Sequence, residues 1–179
     1  SPFEIPGGAN TSAAMIPRIE RSPLPPLERA DVPPSLAHVF ERAMAKHPRD
    51  RYDSALAFAR ANGVDQITMD SPKARFGIAG SGKAYEDVRQ ALFELGIGDD
   101  EAAHIGLRLY KVRMTWPLEP EGVREFSEGL EEVLVVEERR EIIENQIKMH
   151  LFNWRADVRP RIVGKFDEHD QPFLSLSKA

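Results

Sequence analysis

From residue 75 onward, short strand-like runs alternate with stretches in which apolar residues return every three or four positions. That rhythm belongs to a chain of βα units rather than to a helical bundle. Phe76 and Ile78 lead into Gly80-Ser81-Gly82, after which Val88, Ala91, Leu92 and Leu95 recur at helical spacing. A buried strand over 75 to 80 therefore turns sharply into an amphipathic helix. Leu107-Arg108-Leu109-Tyr110-Lys111-Val112 predicts a second strand, over 107 to 113, and Glu119 to Leu130 a helix with Pro120 at an early helical position. A third strand, over 132 to 137, is carried by Val133-Leu134-Val135-Val136. The helix expected from Glu137 through His150 has Ile142, Ile143, Ile147, Met149 and Leu151 on its apolar side. Glu138, Arg139, Arg140, Glu141, Glu144 and Lys148 form its solvated face. A last strand falls at 161 to 165. Parallel strands need helical crossovers, and these runs supply them. The expected fold is α/β, an open, mainly parallel sheet of about four strands with flanking helices, preceded by a small Pro-rich helical segment.

That preceding segment is a different kind of chain. Residues 1 to 61 hold nine of the 14 prolines and carry a net charge of +1, against −6 for residues 62 to 179. A short helix is expected around Thr11 to Glu20, interrupted by Pro17, with irregular Pro-rich backbone from Ser22 to Pro34. Ser35 is placed to cap a helix whose apolar positions Leu36, Val39, Phe40 and Met44 share one face and which ends before Pro48. Ser54 to Arg60 predicts another. The composition shift puts the domain boundary between residues 61 and 62.

The whole chain has 179 residues, 41% of them hydrophobic, and a net charge of −5. An acidic balance without a Lys/Arg cluster argues against nucleic acid, whose phosphates must be neutralised. No apolar run approaches the roughly 20 residues that span a bilayer, and no signal-peptide pattern opens the chain. The expectation is a cytoplasmic protein with neither membrane nor nucleic acid as partner. Cysteine is absent, which excludes thiol nucleophiles, cysteine zinc sites and iron–sulfur clusters held by this chain's own thiolates. The five histidines, His38, His47, His104, His150 and His169, never stand at metal-ligand spacing and read as ordinary surface or helix residues.

Candidate chemistry concentrates at the glycine turn. Backbone amides there, with a helix N-terminus behind them, attract anions. Gly77 to Lys83 has Walker A spacing, but Ala84 stands where a hydroxyl must ligand magnesium. Gly80 and Gly82 begin a dinucleotide fingerprint, but Tyr85 fills its third glycine position. Both nucleotide motifs are rejected. What remains is a tight turn that needs glycine for its backbone angles, with at most a weak anion site at Gly80, Ser81, Gly82 and Lys83, against which Glu86 and Asp87 crowd negative charge into the same first turn. Phosphate, pyrophosphate or the phosphate end of coenzyme A is expected to bind there no tighter than roughly millimolar. Glu137 and Glu138 end a strand where open α/β sheets place ligands. A cap on the following helix is the preferred reading of that pair.

Two resemblances follow from longer stretches. Val32-Pro33-Pro34-Ser35-Leu36, Arg42-Ala43-Met44-Ala45-Lys46-His47-Pro48 and Asp50-Arg51-Tyr52-Asp53-Ser54-Ala55 resemble the end of the C-terminal lobe of a bacterial Ser/Thr protein kinase. There the arginine matching Arg51 forms a buried ion pair with a glutamate, but that partner motif and every phosphoryl-transfer motif are missing here. Residues 62 to 179 resemble the transketolase C-terminal-like domain of indolepyruvate:ferredoxin oxidoreductase, a 2-oxoacid:ferredoxin oxidoreductase. The residues that carry this likeness include Asp70-Ser71-Pro72-Lys73-Ala74-Arg75-Phe76-Gly77-Ile78, Ser81-Gly82-Lys83-Ala84-Tyr85 and Trp116-Pro117-Leu118-Glu119-Pro120. Asn145-Gln146, Asn153-Trp154 and Arg159-Pro160-Arg161-Ile162-Val163-Gly164-Lys165 continue it.

The second resemblance implies thiamine diphosphate, magnesium, iron–sulfur clusters and coenzyme A for the complete enzyme, with none bound by this chain alone. The Gly-Asp-Gly magnesium motif does not occur in it. The implied role is non-catalytic, with no catalytic or metal-ligating residue assigned: packing against cofactor-binding domains or subunits of the oxidoreductase, with Trp116 a candidate for covering a neighbour. The alternatives are a kinase-derived regulatory or docking fragment, or a chimeric sequence joined near Ala61 with no activity of its own.

Overall fold

A computed structural model describes residues 5–22, 41–45, 47–167, 169 and 171–173. The chain divides into two compact units, Ser1–Ala57 and Phe58–Ala179, each described here by itself. In the first, helix α1 spans Ser12–Arg21 and continues through Pro17 instead of breaking there. A proline removes one backbone donor, and here the rest of the helix closes around that gap. The Arg18 guanidinium donates to Ala9 O at 2.8 Å and Asn10 Oδ1 at 3.2 Å, holding the preceding turn to the helix. Helix α2, Pro48–Ala61, starts six residues before the expected Ser54, and its last turn belongs to the second unit. Arg51 donates to Ala45 O at 2.6 Å. The Ser35-capped helix, the Pro-rich run after Ser22 and Leu174 lie outside the described residues, apart from a helical stretch at 41–43.

The second unit is an α/β sheet of five strands: β1 Gln66–Met69, β2 Phe76–Ser81, β3 Leu107–Val112, β4 Glu132–Val136 and β5 Arg161–Val163. They lie in the order β1-β3-β2-β4-β5. The four expected strands run parallel, as their helical connections require. β1 adds a fifth, antiparallel strand on the β3 edge, pairing Gln66 with Lys111 and Ile67 with Tyr110. Helices α3 (Gly82–Glu94) and α4 (Asp99–Ile105) connect β2 to β3. α5 (Pro120–Ser127) connects β3 to β4, and α6 (Ile142–Leu151) connects β4 to β5. Among the described residues no helix is long and apolar enough to cross a membrane.

Strand alternation sorts the core into two clusters. Leu107 and Leu109 pack with Tyr85, Leu92 and Ala102 of α3 and α4. Tyr110 and Val112 pack with Val123 and Phe126 of α5 and Ile143, Ile147 and Leu151 of α6. The buried face of α3 is thus Ala84, Tyr85 and Leu92, while Ala91 and Leu95 of the expected face are exposed. Tyr85 turns inward because its hydroxyl has a partner there, donating to Thr68 Oγ1 of β1 at 2.9 Å.

α6 also differs from expectation. It begins at Ile142, with Ile142 and Met149 largely exposed, and Glu144 is only 1% exposed rather than solvated. Glu144 is tolerated in the core because it is paired on both oxygens. It accepts from Lys148 Nζ at 2.7 Å and from Lys165 N, just past β5, also at 2.7 Å.

α5 sits directly on β2 where β2 has no side chain. A Cβ built on Gly77 would come 2.5 Å from Leu130 Cδ1 and 2.7 Å from Phe126 Cζ. Phe126 is fully buried and stacks on Tyr110 with ring centroids 4.8 Å apart, so it has nowhere to retreat. Gly77→Ala is therefore expected to destabilise the second unit by about 1–3 kcal/mol, the usual cost of overpacking a tight core. Urea denaturation of the two proteins measures it, and an unchanged midpoint would show that α5 shifts freely on the sheet.

Candidate functional site

Adjacent strands β2 and β4 lead to helices over opposite faces of the sheet, α3 over one cluster and α6 over the other. In open α/β sheets the place where neighbouring strands diverge in this way, beyond their carboxyl ends, is the crevice in which ligands bind. Gly80 to Lys83 close β2 and open α3 at that end of the sheet, and Glu137 and Glu138 follow β4 there. A Cβ on Gly80 would sit 3.4 Å from Val136 O and from the Tyr85 backbone, an ordinary contact, so the space there does not itself demand glycine. Gly82 opens α3 at φ +50°, a conformation that disfavours any other residue.

Ser81 is the N-cap of α3, but its side chain accepts no capping hydrogen bond. The first turn contains no acidic residue. Glu86 and Asp87 instead fall one turn further in, correcting the reading that placed them in the first. Each has a cation of its own: Glu86 accepts from Lys111 Nζ at 2.8 Å, and Asp87 is hydrogen bonded to Lys83. That hydrogen bond and the Asp87 charge, with a further contribution from Glu138, raise Lys83 above its ordinary pKa. Lys83 therefore stays an ammonium ion, its charge already balanced in part by Asp87.

Glu137 is the cap that its position implied. Its two oxygens accept from Ile143 N at 2.8 Å and Glu144 N at 3.1 Å, filling two of the orphan donors at the α6 N-terminus. On the neighbouring loop Glu119 does the same for α5, accepting from Glu121 N at 2.9 Å and Gly122 N at 2.6 Å, with Pro120 in the first turn. The loop between β3 and α5 is fixed by two side chains that the sequence did not single out for this task. Gln146 is buried, accepts from Leu118 N at 2.8 Å and donates to Thr115 O at 2.9 Å. His150 stands 3.1 Å from Leu118 O, and burial lowers its pKa, so it is a half-buried structural group rather than a surface one. The available signal was a glutamine among Ile142, Ile143 and Ile147 on an otherwise apolar face. Trp116, on the loop these residues hold, remains 65% exposed.

Burial raises the Glu137 pKa despite the helix amides, which pull the other way. The sign follows from linkage. A carboxyl whose folded pKa lies above its unfolded one favours the folded state most when protonated, and that contribution fades as pH climbs from about 4.5 through the raised value. Glu137→Gln keeps one capping oxygen and removes the titration. The wild-type stability relative to the variant is thus expected to fall as pH rises through that window, measured by urea denaturation at pH steps. A pH-independent difference would mean that burial does not control this carboxyl.

No curated protein matches the chain. A split-gene transketolase solved as an inactive β4 tetramer is 17% identical over 65% of this chain and 35% of its own, with a TM-score of 0.44. The 2-oxoglutarate:ferredoxin oxidoreductase from Magnetococcus marinus, with 2-oxoglutarate, coenzyme A and succinyl-CoA bound, is 15% identical over 80% of this chain and 22% of its own, again with a TM-score of 0.44. The chain thus spans well under half the length of either. The kinase resemblance of residues 1 to 61 is supported neither by these two structures nor by the family match. Residues 65–175 match the profile of the indolepyruvate ferredoxin oxidoreductase middle domain, and the chain belongs to that family.

Proposed function

We propose that the chain is a non-catalytic α/β domain of a thiamine-diphosphate-dependent indolepyruvate (2-oxoacid):ferredoxin oxidoreductase, contributing to assembly around its cofactor-binding domains. The observation that carries this reading is a family match over the whole sheet, residues 65–175, in a domain where Glu137 caps α6 and Lys83 is paired with Asp87. Large apolar side chains left in solvent support it: Trp116 on the β3–α5 loop, with Ile142, Met149 and Phe152 on or just beyond α6. Contact surfaces are built from such residues.

The residues present do not fit the redox cofactors of a complete enzyme. The chain has no cysteine for an iron–sulfur cluster, and among the described residues no three His, Asp or Glu side chains converge at metal-ligating spacing. In this reading thiamine diphosphate, magnesium, the clusters and coenzyme A are held by the other domains.

The purified chain is expected to co-purify with the remaining domains of such an oxidoreductase. Trp116→Glu and Phe152→Glu, both exposed and therefore compatible with folding, should weaken that association at least about tenfold, as removal of an aromatic anchor does. Failure of the wild-type chain to associate would sink the assembly reading.

The glycine turn remains a weak anion site in this reading, supported by the uncapped first turn of α3 and opposed by the Lys83–Asp87 pair. Titration with coenzyme A and pyrophosphate, followed by amide chemical shifts, is expected to give dissociation constants no tighter than roughly millimolar. Saturable micromolar shifts confined to Ser81, Gly82 and Lys83 would make the turn a ligand-binding site in its own right.

A further inference from the structure

A second recess lies away from the crevice, where the last turn of α2, strand β1, strand β3 and the start of α5 meet. It is a small cavity of about 140 Å³ lined by Arg60, Asp65, Tyr110, Glu119, Gly122 and Glu125, among others. Two of its oxygens are buried without a partner among the described residues: Tyr110 Oη and Asp65 Oδ2. Tyr110 is 2% exposed as a whole. Leaving such groups unsatisfied is costly, and native interiors rarely do so without a ligand, ion or ordered water.

The surrounding atoms restrict what that ligand is. Asp65 Oδ1 already accepts from Arg113 N at 2.6 Å and Met114 N at 3.0 Å, so Oδ2 is the atom left for the cavity. Glu119 holds the α5 amides, and Glu125 is bidentate with Arg60. Asp65, Glu119 and Glu125 together outnumber the one guanidinium that lines the space. Their charges, after burial, raise the Tyr110 pKa, so the phenol stays neutral. The cavity therefore repels anions and offers acceptor oxygens.

A divalent metal does not fit, because no three carboxylates or imidazoles converge on it among the described residues. A cation bringing its own N–H donors needs only a few directed acceptors, which the two free oxygens begin to provide. Size sets the upper limit. The volume admits a methylammonium-sized group, and Gly122 is part of the wall, since a Cβ there would come 2.8 Å from Tyr110 Oη. Entry is from the side of Arg60 and Glu125, whose side chains are 43% and 57% exposed.

We propose that this cavity is a binding site for a small primary ammonium ion, which donates to Asp65 Oδ2 and Tyr110 Oη and balances the surrounding carboxylates. The test uses the full 179-residue chain at pH 7, titrated with methylammonium chloride or with potassium chloride at constant ionic strength and followed by amide chemical shifts. Methylammonium should give saturable shifts at Asp65, Arg113, Met114 and Gly122, whereas potassium, of equal charge but without N–H donors, should not.

Tyr110→Phe and Asp65→Asn each remove one acceptor, and the asparagine keeps the oxygen that serves the Arg113 and Met114 amides. Each should weaken methylammonium binding at least about tenfold, as expected for a hydrogen bond to a charged group. Tyr110→Phe, which deletes an unpartnered hydroxyl, should be no less stable than the wild type without methylammonium, which separates loss of binding from loss of fold. Equal responses to the two salts, or unchanged binding in both variants, would overturn the proposal and leave the cavity a water pocket.

Discussion

The arrangement of α5 on the sheet depends on one guanidinium. Arg108 enters β3 on the α5 side, and its Nη1 donates to Phe126 O and Glu128 O, both at 2.9 Å, where the carbonyls ending α5 have no intrahelical partners. Its Nε reaches Asp70 at 2.6 Å in the segment after β1. Only 13% of the side chain is exposed, so the charge has little water to fall back on and its partners fix where it sits. One residue thereby binds three separate parts of the chain: β3, the end of α5, and the connection from β1 to β2. The positive charge also opposes the negative end of the α5 dipole. Phe126 is held over Gly77 as a result, and the stacked Tyr110 with it, so the cavity beside Tyr110 takes its shape indirectly from Arg108.

Much of this was legible from residue types, and the exceptions have a common cause. Val, Leu and Ile in β3, β4 and β5, and Phe76 and Ile78 ahead of a glycine turn in β2, announce those strands without any knowledge of their neighbours. β1 does not. Gln66-Ile67-Thr68-Met69 is half polar and only four residues long, and it becomes a strand because β3 offers it an edge. α4, Asp99–Ile105, was equally silent: Ala102 is its one buried residue, so it shows no apolar period to read. Glu144 was placed on the wet side because its charge is visible in the sequence while its partner, the Lys165 amide, is 21 positions away.

The crevice followed the same division. The Glu137 cap depends on residues six and seven positions ahead and could be inferred from position alone. Asp65 and Tyr110 meet only because β1 runs antiparallel beside β3, and no local pattern encodes that register. The Glu137 cap could be read from its place after a strand, whereas the Lys83–Asp87 pair, only four positions apart, was not, and contacts made by the sheet left no local trace.

The strand order also sets a timetable. β2 lies at the centre of the sheet, yet both strands that flank it follow it in the chain, and β4 begins roughly 55 residues later. At about 5–20 residues per second of synthesis, that separation lasts from roughly three to eleven seconds. Through that interval β2 has at most β3 for a neighbour, and its other edge is an open ladder of amides and carbonyls. Gly77, Gly80 and Ser81 bring little side-chain area to that strand, so β2 gains its hold only when β4 pairs with it and Phe126 and Leu130 close over Gly77.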